Sequence, residues 1–157
     1  YSFPCDNNLT LLAVSIPISE FNDFKQNTDY EFIKRLKLMS EISPRLDNAK
    51  IESPVKGTGS IPGYLRIPYG KGWALVGDAG MVMDPWSGQG IDQASTHALL
   101  LAKHLGDYFS GINWETAMQA YHKERNEFSI KDLRRTCKFS IDLKPMTKAA
   151  LEKRGLI

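Results

Sequence analysis

A chain of 157 residues is one modest domain or a piece of a larger protein, and it is long enough to bury a core. Lys and Arg outnumber Asp and Glu by only 20 to 18, and a net charge of +2 gives no electrostatic case for nucleic acid or an anionic membrane surface. No apolar run approaches the roughly 20 residues that span a bilayer, and no basic-then-apolar leader opens the chain. The two cysteines, Cys5 and Cys137, form no C-x-x-C pair, which argues against a disulfide framework and a zinc site and points to a reducing cytoplasm.

In chain order, the first predicted element is a strand over 9–16, rich in residues that fit a pleated surface and preceded by the turn cluster Asp6, Asn7 and Asn8. The sequence enters it with no initiator methionine or preamble, so the expectation is the C-terminal part of a longer polypeptide. Thr28 and Glu31 form a T-x-x-E capping box, and Phe32, Ile33, Leu36 and Met39 recur at helical spacing, which predicts a helix over 28–40 with Pro44 closing the region. The stretch SPVKGTGSIPGYLRIPYGKG then mixes glycine, proline and β-formers. It reads as short strand pieces and turns, with Gly70-Lys71-Gly72 as a tight connection.

Residues 73–76 form a short apolar strand that stops at Gly77-Asp78. Downstream, Ile91, Ala94, Ala98, Leu101, Ala102 and Leu105 mark one face of a helix, and Gly106 is placed to end it in a left-handed cap. Asn113 is placed to cap a third helix that ends near 142, with Glu115 in its first turn and Trp114, Ala117, Met118, Tyr121 and Phe128 along one face. After Pro145 the tail MTKAALEKRGLI reads as a short helix or a frayed end. No internal repeat or low-complexity tract is visible.

Strand, glycine loop and helix bring free backbone N–H groups and the positive end of a helix dipole to one point, which suits an anion or a carbonyl oxygen. Gly88 and Gly90 lack Cβ and let a flat ring or a phosphate lie against the main chain. Asp78, at the strand end, is suited to accept hydrogen bonds from sugar hydroxyls. Any one of these residues reads equally well as ordinary turn chemistry. Turn chemistry alone does not require Gly77, Asp78, Pro85, Gly88, Gln89 and Gly90 together in one segment that also lacks Lys and Arg.

The segment GWALVGDAGMVMDPWSGQGIDQASTHALLLA resembles the second FAD-binding motif, the G-D motif, of the class A flavoprotein monooxygenase and hydroxylase superfamily. Upstream, YSFPCDNNLTLLAVSIP is similar to a strand of the family's substrate domain, and YHKERN to its long C-terminal helix. The resemblance implies that Asp78 hydrogen-bonds the ribityl chain of FAD, that Pro85 lies close to the isoalloxazine, and that the backbone of Gly88, Gln89 and Gly90 approaches the ring. Gly77, Ala79 and Ile91 complete the implied cofactor-binding set. The following helix would aim its N-terminus at the N1 and C2 carbonyl edge and stabilise the anionic reduced flavin.

Two departures stand out. Many aromatic hydroxylases read G-D-A-A-H where this chain has Gly77-Asp78-Ala79-Gly80-Met81, so a role for that histidine is not carried over. No G-x-G-x-x-G follows a strand and opens a helix: Gly57, Gly59 and Gly63 have the wrong spacing, and Pro62 interrupts them. The AMP-binding half of an FAD site would therefore come from another stretch of polypeptide.

The remaining candidates have ordinary readings. His97, His104 and His122 lack further metal ligands at suitable spacing and read as surface or core histidines. Lys131, Arg134, Arg135 and Lys138 read as a solvated face, Trp73 as packed in its strand, and Cys137 as a small buried residue. Trp86 is placed either to face the flavin or substrate pocket or to pack. No Ser-His-Asp order supports hydrolysis, and no side chain is an evident catalytic acid or base.

The expected fold is mixed α/β, the C-terminal part of an FAD/NAD(P)-binding flavoprotein. In it, residues 1–68 belong to a substrate-binding domain and 69–157 to the FAD-binding domain. The expected function is FAD-dependent oxidation or monooxygenation of a small organic substrate, with NAD(P)H as electron donor and no metal. Geranylgeranyl-reductase-like and flavin-halogenase-like enzymes share the G-D segment, and a non-catalytic fragment that keeps the scaffold is the alternative from a different class.

Overall fold

The computed structural model describes residues 1–140, in two compact units, Tyr1–Ser60 and a second that begins at Ile61. The expected end of the third helix near 142 and the tail after Pro145 lie outside the described residues.

The first unit opens on a hairpin. Strand β1 (Ser2–Pro4) pairs antiparallel with β2 (Thr10–Leu12), with Phe3 opposite Leu11. Asn7 and Asn8 both take φ 58 in the connection, a left-handed conformation that asparagine tolerates better than most residues. The strand expected over 9–16 is cut to three residues because β1, its partner, is equally short; the Tyr1 amine on the Ala13 carbonyl (2.9 Å) ends the pairing.

After the short α1 (Phe21–Phe24), α2 (Thr28–Leu36) is capped one residue earlier than the T-x-x-E pattern indicates. Asn27 Oδ1 accepts the Tyr30 N–H at 3.3 Å, and Glu31 turns to Lys34 and Arg35 on the next turn instead of back to the cap. Pro44 does not close this region. It sits in the first turn of α3 (Ser43–Leu46), where its missing N–H costs nothing. Among the described residues of this unit only Leu36 is buried.

The second unit holds two further two-stranded ladders. Strand β3 (Tyr64–Leu65) pairs antiparallel with β6 (Met81–Val82), and β4 (Tyr69–Gly70) with β5 (Trp73–Ala74) across Lys71-Gly72. Gly72 takes φ 78, which that tight connection requires of its second residue. The expected strand over 73–76 is thus two residues long, and Trp73 stands half-exposed over Gly70 rather than packed in a core.

Two long helices back these ladders, α4 (Gly90–Phe109) and α5 (Trp114–Ser140). They run antiparallel, because side chains near the start of α4 meet the far part of α5 (Gln93 with Asp132) and later ones meet its earlier turns (Lys103 with Glu124). Asn113 caps α5 as the sequence indicates, its Oδ1 accepting the Thr116 N–H at 2.9 Å. Gly106 does not end α4. The helix continues to Phe109, and Gly111 takes the positive φ of 110 in the connection.

Ala117, Met118 and Tyr121 form the buried centre, with Tyr69, Ala74, Leu100, Leu101, Leu105 and Trp114 packed around it. Phe128, expected on this face, is exposed, and the stripe continues instead through Arg125, Ser129 and Thr136. Polar tips on α5 reach back to the ladders: Trp114 Nε1 donates to the Gly70 carbonyl at 3.0 Å and the Tyr121 hydroxyl to the Leu75 carbonyl at 2.7 Å. Tyr121→Phe leaves the Leu75 carbonyl without that donor, and a urea melt should show a loss of roughly 1–3 kcal/mol with an unchanged denaturant slope.

Candidate functional site

The corner that follows β5 is built on a glycine with two independent constraints. Val76 is extended, and Gly77 then turns at φ 51 into a short 3-10 turn, Gly77–Ala79. A Cβ on Gly77 would stand 2.9 Å from Ala94 Cβ, so both the backbone angle and the approach of α4 exclude a side chain.

Three successive carbonyls of this turn have donors. Tyr64 Oη donates to the Asp78 carbonyl at 2.7 Å and Arg66 Nη1 to the Ala79 carbonyl at 3.1 Å, while the Gly80 carbonyl accepts the Arg66 N–H at 2.9 Å. With its main chain held, Asp78 is exposed, and no donor among the described residues reaches its carboxylate. It is free to accept from a ligand.

After β6 the chain turns again at Pro85–Ser87. Asp84 Oδ1 accepts the Trp86 N–H at 3.0 Å, so Asp84 serves the turn. Trp86 packs away from the corner: Nε1 donates to the Thr136 carbonyl at 3.2 Å, and the ring meets Phe139 edge-on at 6.0 Å. Pro85, Gly88 and Gly90 are exposed, Gly88 takes φ 67, and a Cβ on either glycine would meet nothing.

Gln89 is the N-cap residue of α4, yet its side chain makes no capping bond, and its buried Oε1 has no partner among the described residues. The first N–H of the helix with an acceptor is that of Gln93, on the Gln89 carbonyl at 2.9 Å. Gly90, Ile91 and Asp92 therefore present bare N–H groups at the positive end of a 20-residue helix. Ile91 is 82% exposed, so no side chain among the described residues covers it.

Behind the corner, α4 faces α5 with polar residues. The Ser129 hydroxyl donates to Gln93 Oε1 at 2.8 Å and receives His97 Nε2–H at 2.8 Å, and Gln93 Nε2 reaches Asp132 Oδ2 at 3.5 Å. This donor order makes His97 the neutral Nε2–H tautomer. Burial first, and the neighbouring Arg125 guanidinium second, lower its pKa from 6.5 to about 4.

The Ile91, Ala98 and Ala102 side of α4, expected to be buried, instead faces outward, while Gln93, His97 and His104 are buried. Gln93, Ser129 and Asp132 are not among the residues the sequence singled out, and Arg125 enters there only as part of YHKERN. On α5 they were signalled by spacing: Arg125 and Ser129 continue the four-residue rhythm of Ala117 and Tyr121.

The other candidates stand apart from the corner. His104 Nε2 lies 2.6 Å from Glu124, whose carboxyl is held below its usual range first by Lys103 and then by His104. Among the described residues no group of His, Cys, Asp and Glu is arranged to hold a metal ion. Lys131, Arg134, Arg135 and Lys138 are exposed, and Cys137, expected to be buried, is exposed as well because it lies off the α5 stripe. An open groove of about 780 Å³ follows α5 past His122, Asn126, Ile130 and Arg134 and includes no residue of the glycine corner.

The comparison with known families falls on this geometry: residues 67–136 match the family described as FAD binding domain. Over these residues, less than half of the chain, the sequence is similar to the FAD binding domain family. No curated protein and no solved structure matches the chain. The matched stretch of this flavin-binding family contains the whole corner from Gly77 to Ile91 together with Arg125 and Ser129. Its residues fit the cofactor, because an open glycine surface, unpaired N–H groups and an unpaired carboxylate are what a flat ring with a polyol chain would engage.

Two outcomes follow from these contacts. Gly77→Ala, strained in φ and pressed on Ala94, should lower stability by roughly 1–3 kcal/mol in chemical denaturation. His97 binds its proton more weakly folded than unfolded, so its contribution to stability is full above pH 6.5 and is lost as the pH falls from 6.5 towards 4. Denaturation curves across that window should show a loss of roughly 2–4 kcal/mol that is absent in His97→Gln.

Proposed function

We propose that this chain supplies the flavin-facing, C-terminal portion of an FAD-dependent monooxygenase or hydroxylase that oxidises a small organic substrate with electrons from NAD(P)H. The observation that carries the reading is the corner from Gly77 to Ile91, open and unpaired inside the matched FAD-binding stretch. The adenylate-binding strand-G-x-G-x-x-G-helix unit is not in this sequence and would come from further polypeptide. Residues 1–68, in this reading, belong to the substrate-binding side.

FAD, when bound, supplies the electron transfer and oxygen chemistry. The chain's own residues position and polarise. Asp78 accepts hydrogen bonds from the hydroxyls of the ribityl chain. Gly88 and Gly90 let the main chain touch the ring face, and Pro85 and Ala79 border it. The N–H groups of Gly90, Ile91 and Asp92, with the α4 dipole behind them, favour negative charge on the ring edge they meet. Gln89 Oε1, buried and unpaired, is an acceptor available to the ligand. No side chain at the corner is placed as a catalytic acid or base, so the protein's part is orientation and electrostatics.

Among the described residues no helix is long and apolar enough to cross a membrane. The exposed free thiols of Cys5 and Cys137 suit a reducing, cytoplasmic setting.

The test is a flavin titration of the protein that carries both halves. Asp78→Ala should weaken FAD binding by roughly tenfold, the scale of lost hydrogen bonds to a charged group. Gly90→Ala, whose methyl would meet nothing in the protein, should leave stability unchanged while weakening FAD. Wild-type affinity in both variants would remove this assignment of the corner.

A further inference from the structure

The turn that carries Asp78 has a cation beside it that the fold does not neutralise. Arg66, just after β3, is fixed by its main chain: its N–H donates to the Gly80 carbonyl at 2.9 Å, and its carbonyl accepts from the buried Arg125 at 2.8 Å. Its side chain is fixed as well. The guanidinium lies over the Tyr64 ring, 4.3 Å from the centroid, and one N–H reaches the Ala79 carbonyl at 3.1 Å. Tyr64 is itself anchored through its hydroxyl to the Asp78 carbonyl.

A guanidinium has five donors in a rigid fork, and only one is engaged with the protein here. The residue is exposed, and no carboxylate among the described residues pairs with it, although Asp78 adjoins its Ala79 anchor. Laying the side chain on an aromatic ring removes rotamer freedom before any ligand arrives, which favours binding. The remaining fork matches two oxygens of one oxyanion. Asp78 repels that anion, so the ligand must place its anionic group at Arg66 and its hydroxyls at Asp78.

We infer that Arg66 is an oxyanion-binding residue that grips a phosphoryl group of the ligand whose hydroxyls Asp78 accepts. Assigning that phosphoryl group to the diphosphate of the cofactor rests on the flavin reading, whereas the oxyanion site does not. An anionic group on the substrate would offer the same chemistry, and the two sources are separable.

The first measurement is a titration of the isotope-labelled chain with inorganic pyrophosphate, followed by nuclear magnetic resonance at the Arg66 Nε–H and the amides of residues 79 and 80. Saturable shifts there, with the affinity read at the amides of residues 79 and 80 weakened about tenfold in Arg66→Gln but not in Lys71→Gln, are the expected result. Absence of saturable shifts, or an equal response in Arg66→Gln, overturns the inference. Arg66→Gln gives up the side-chain bond to the Ala79 carbonyl but keeps the main-chain bonds to Gly80 and Arg125, and unchanged amide positions of residues 79 and 80 in the free variant check that the turn is retained.

The second measurement compares FAD with riboflavin, which has no phosphate, in the protein that carries both halves. Weaker FAD and unchanged riboflavin in Arg66→Gln assign the phosphoryl group to the cofactor. Equal weakening of both overturns phosphoryl recognition. Pyrophosphate binding with no binding of either flavin upholds the oxyanion site and removes the flavin reading. Unchanged binding of both flavins in Arg66→Gln, together with its weakened pyrophosphate binding, leaves the site to an anionic substrate.

Discussion

A single buried guanidinium ties the second unit together. Arg125 has no carboxylate partner among the described residues. It donates instead to the carbonyls of Arg66 and Gly80 and to Asn126 Oδ1, and burial lowers its pKa. Burying an unpaired charge is costly, and only well-aimed acceptors offset it. The two carbonyls belong to opposite sides of the β3–β6 ladder, so one residue of α5 clamps both strands. The turn carrying Asp78 leads into the clamped Gly80, and its exposure follows from that attachment.

Two kinds of hydrogen-bonding deficit meet at the corner. On the carbonyl side, every acceptor from Asp78 to Gly80 has a donor from Tyr64, Arg66 or Arg125. On the amide side, the first turn of α4 is left bare. A polar main chain that is satisfied on one side and open on the other is held rigid where it must not move and receptive where a ligand sits. This is what electrostatic preorganisation requires of a scaffold.

The sequence disclosed the corner better than its surroundings, for a physical reason. Glycines at 77 and 88, both at positive φ, are local features that the sequence displays directly, and so is the acidic residue that follows Gly77. The Asn113 cap and the α5 stripe through Tyr121 are equally local. What failed depended on distant partners. Thr28 and Asn27 are both good caps, and only the approach of the chain chooses between them. Gly106 is compatible with a helix interior, and Gly111, in the connection to α5, takes the positive φ instead. Of the apolar residues of α4, Ala94, Leu101 and Leu105 pack inward while Ile91, Ala98 and Ala102 face outward, because periodicity gives the angle of a stripe and not the neighbour that covers it. Nothing in the composition of the Pro85–Ser87 turn tells Trp86 that Thr136, fifty positions on, will accept its N–H.

The polar seam between α4 and α5 has a consequence for how the two helices fit. Ile91 and Phe109 stay more than three-quarters exposed while Gln93 and His97 are buried, the reverse of what apolar attraction alone would select. Rolling α4 about its axis would hide Ile91 and Phe109, but it would break the Gln93–Ser129–His97 bonds and leave the buried Ser129 hydroxyl without either partner. The seam thus acts as a key cut for one lock: it admits a single rotational setting of α4, the one that turns its naked first amides towards the corner.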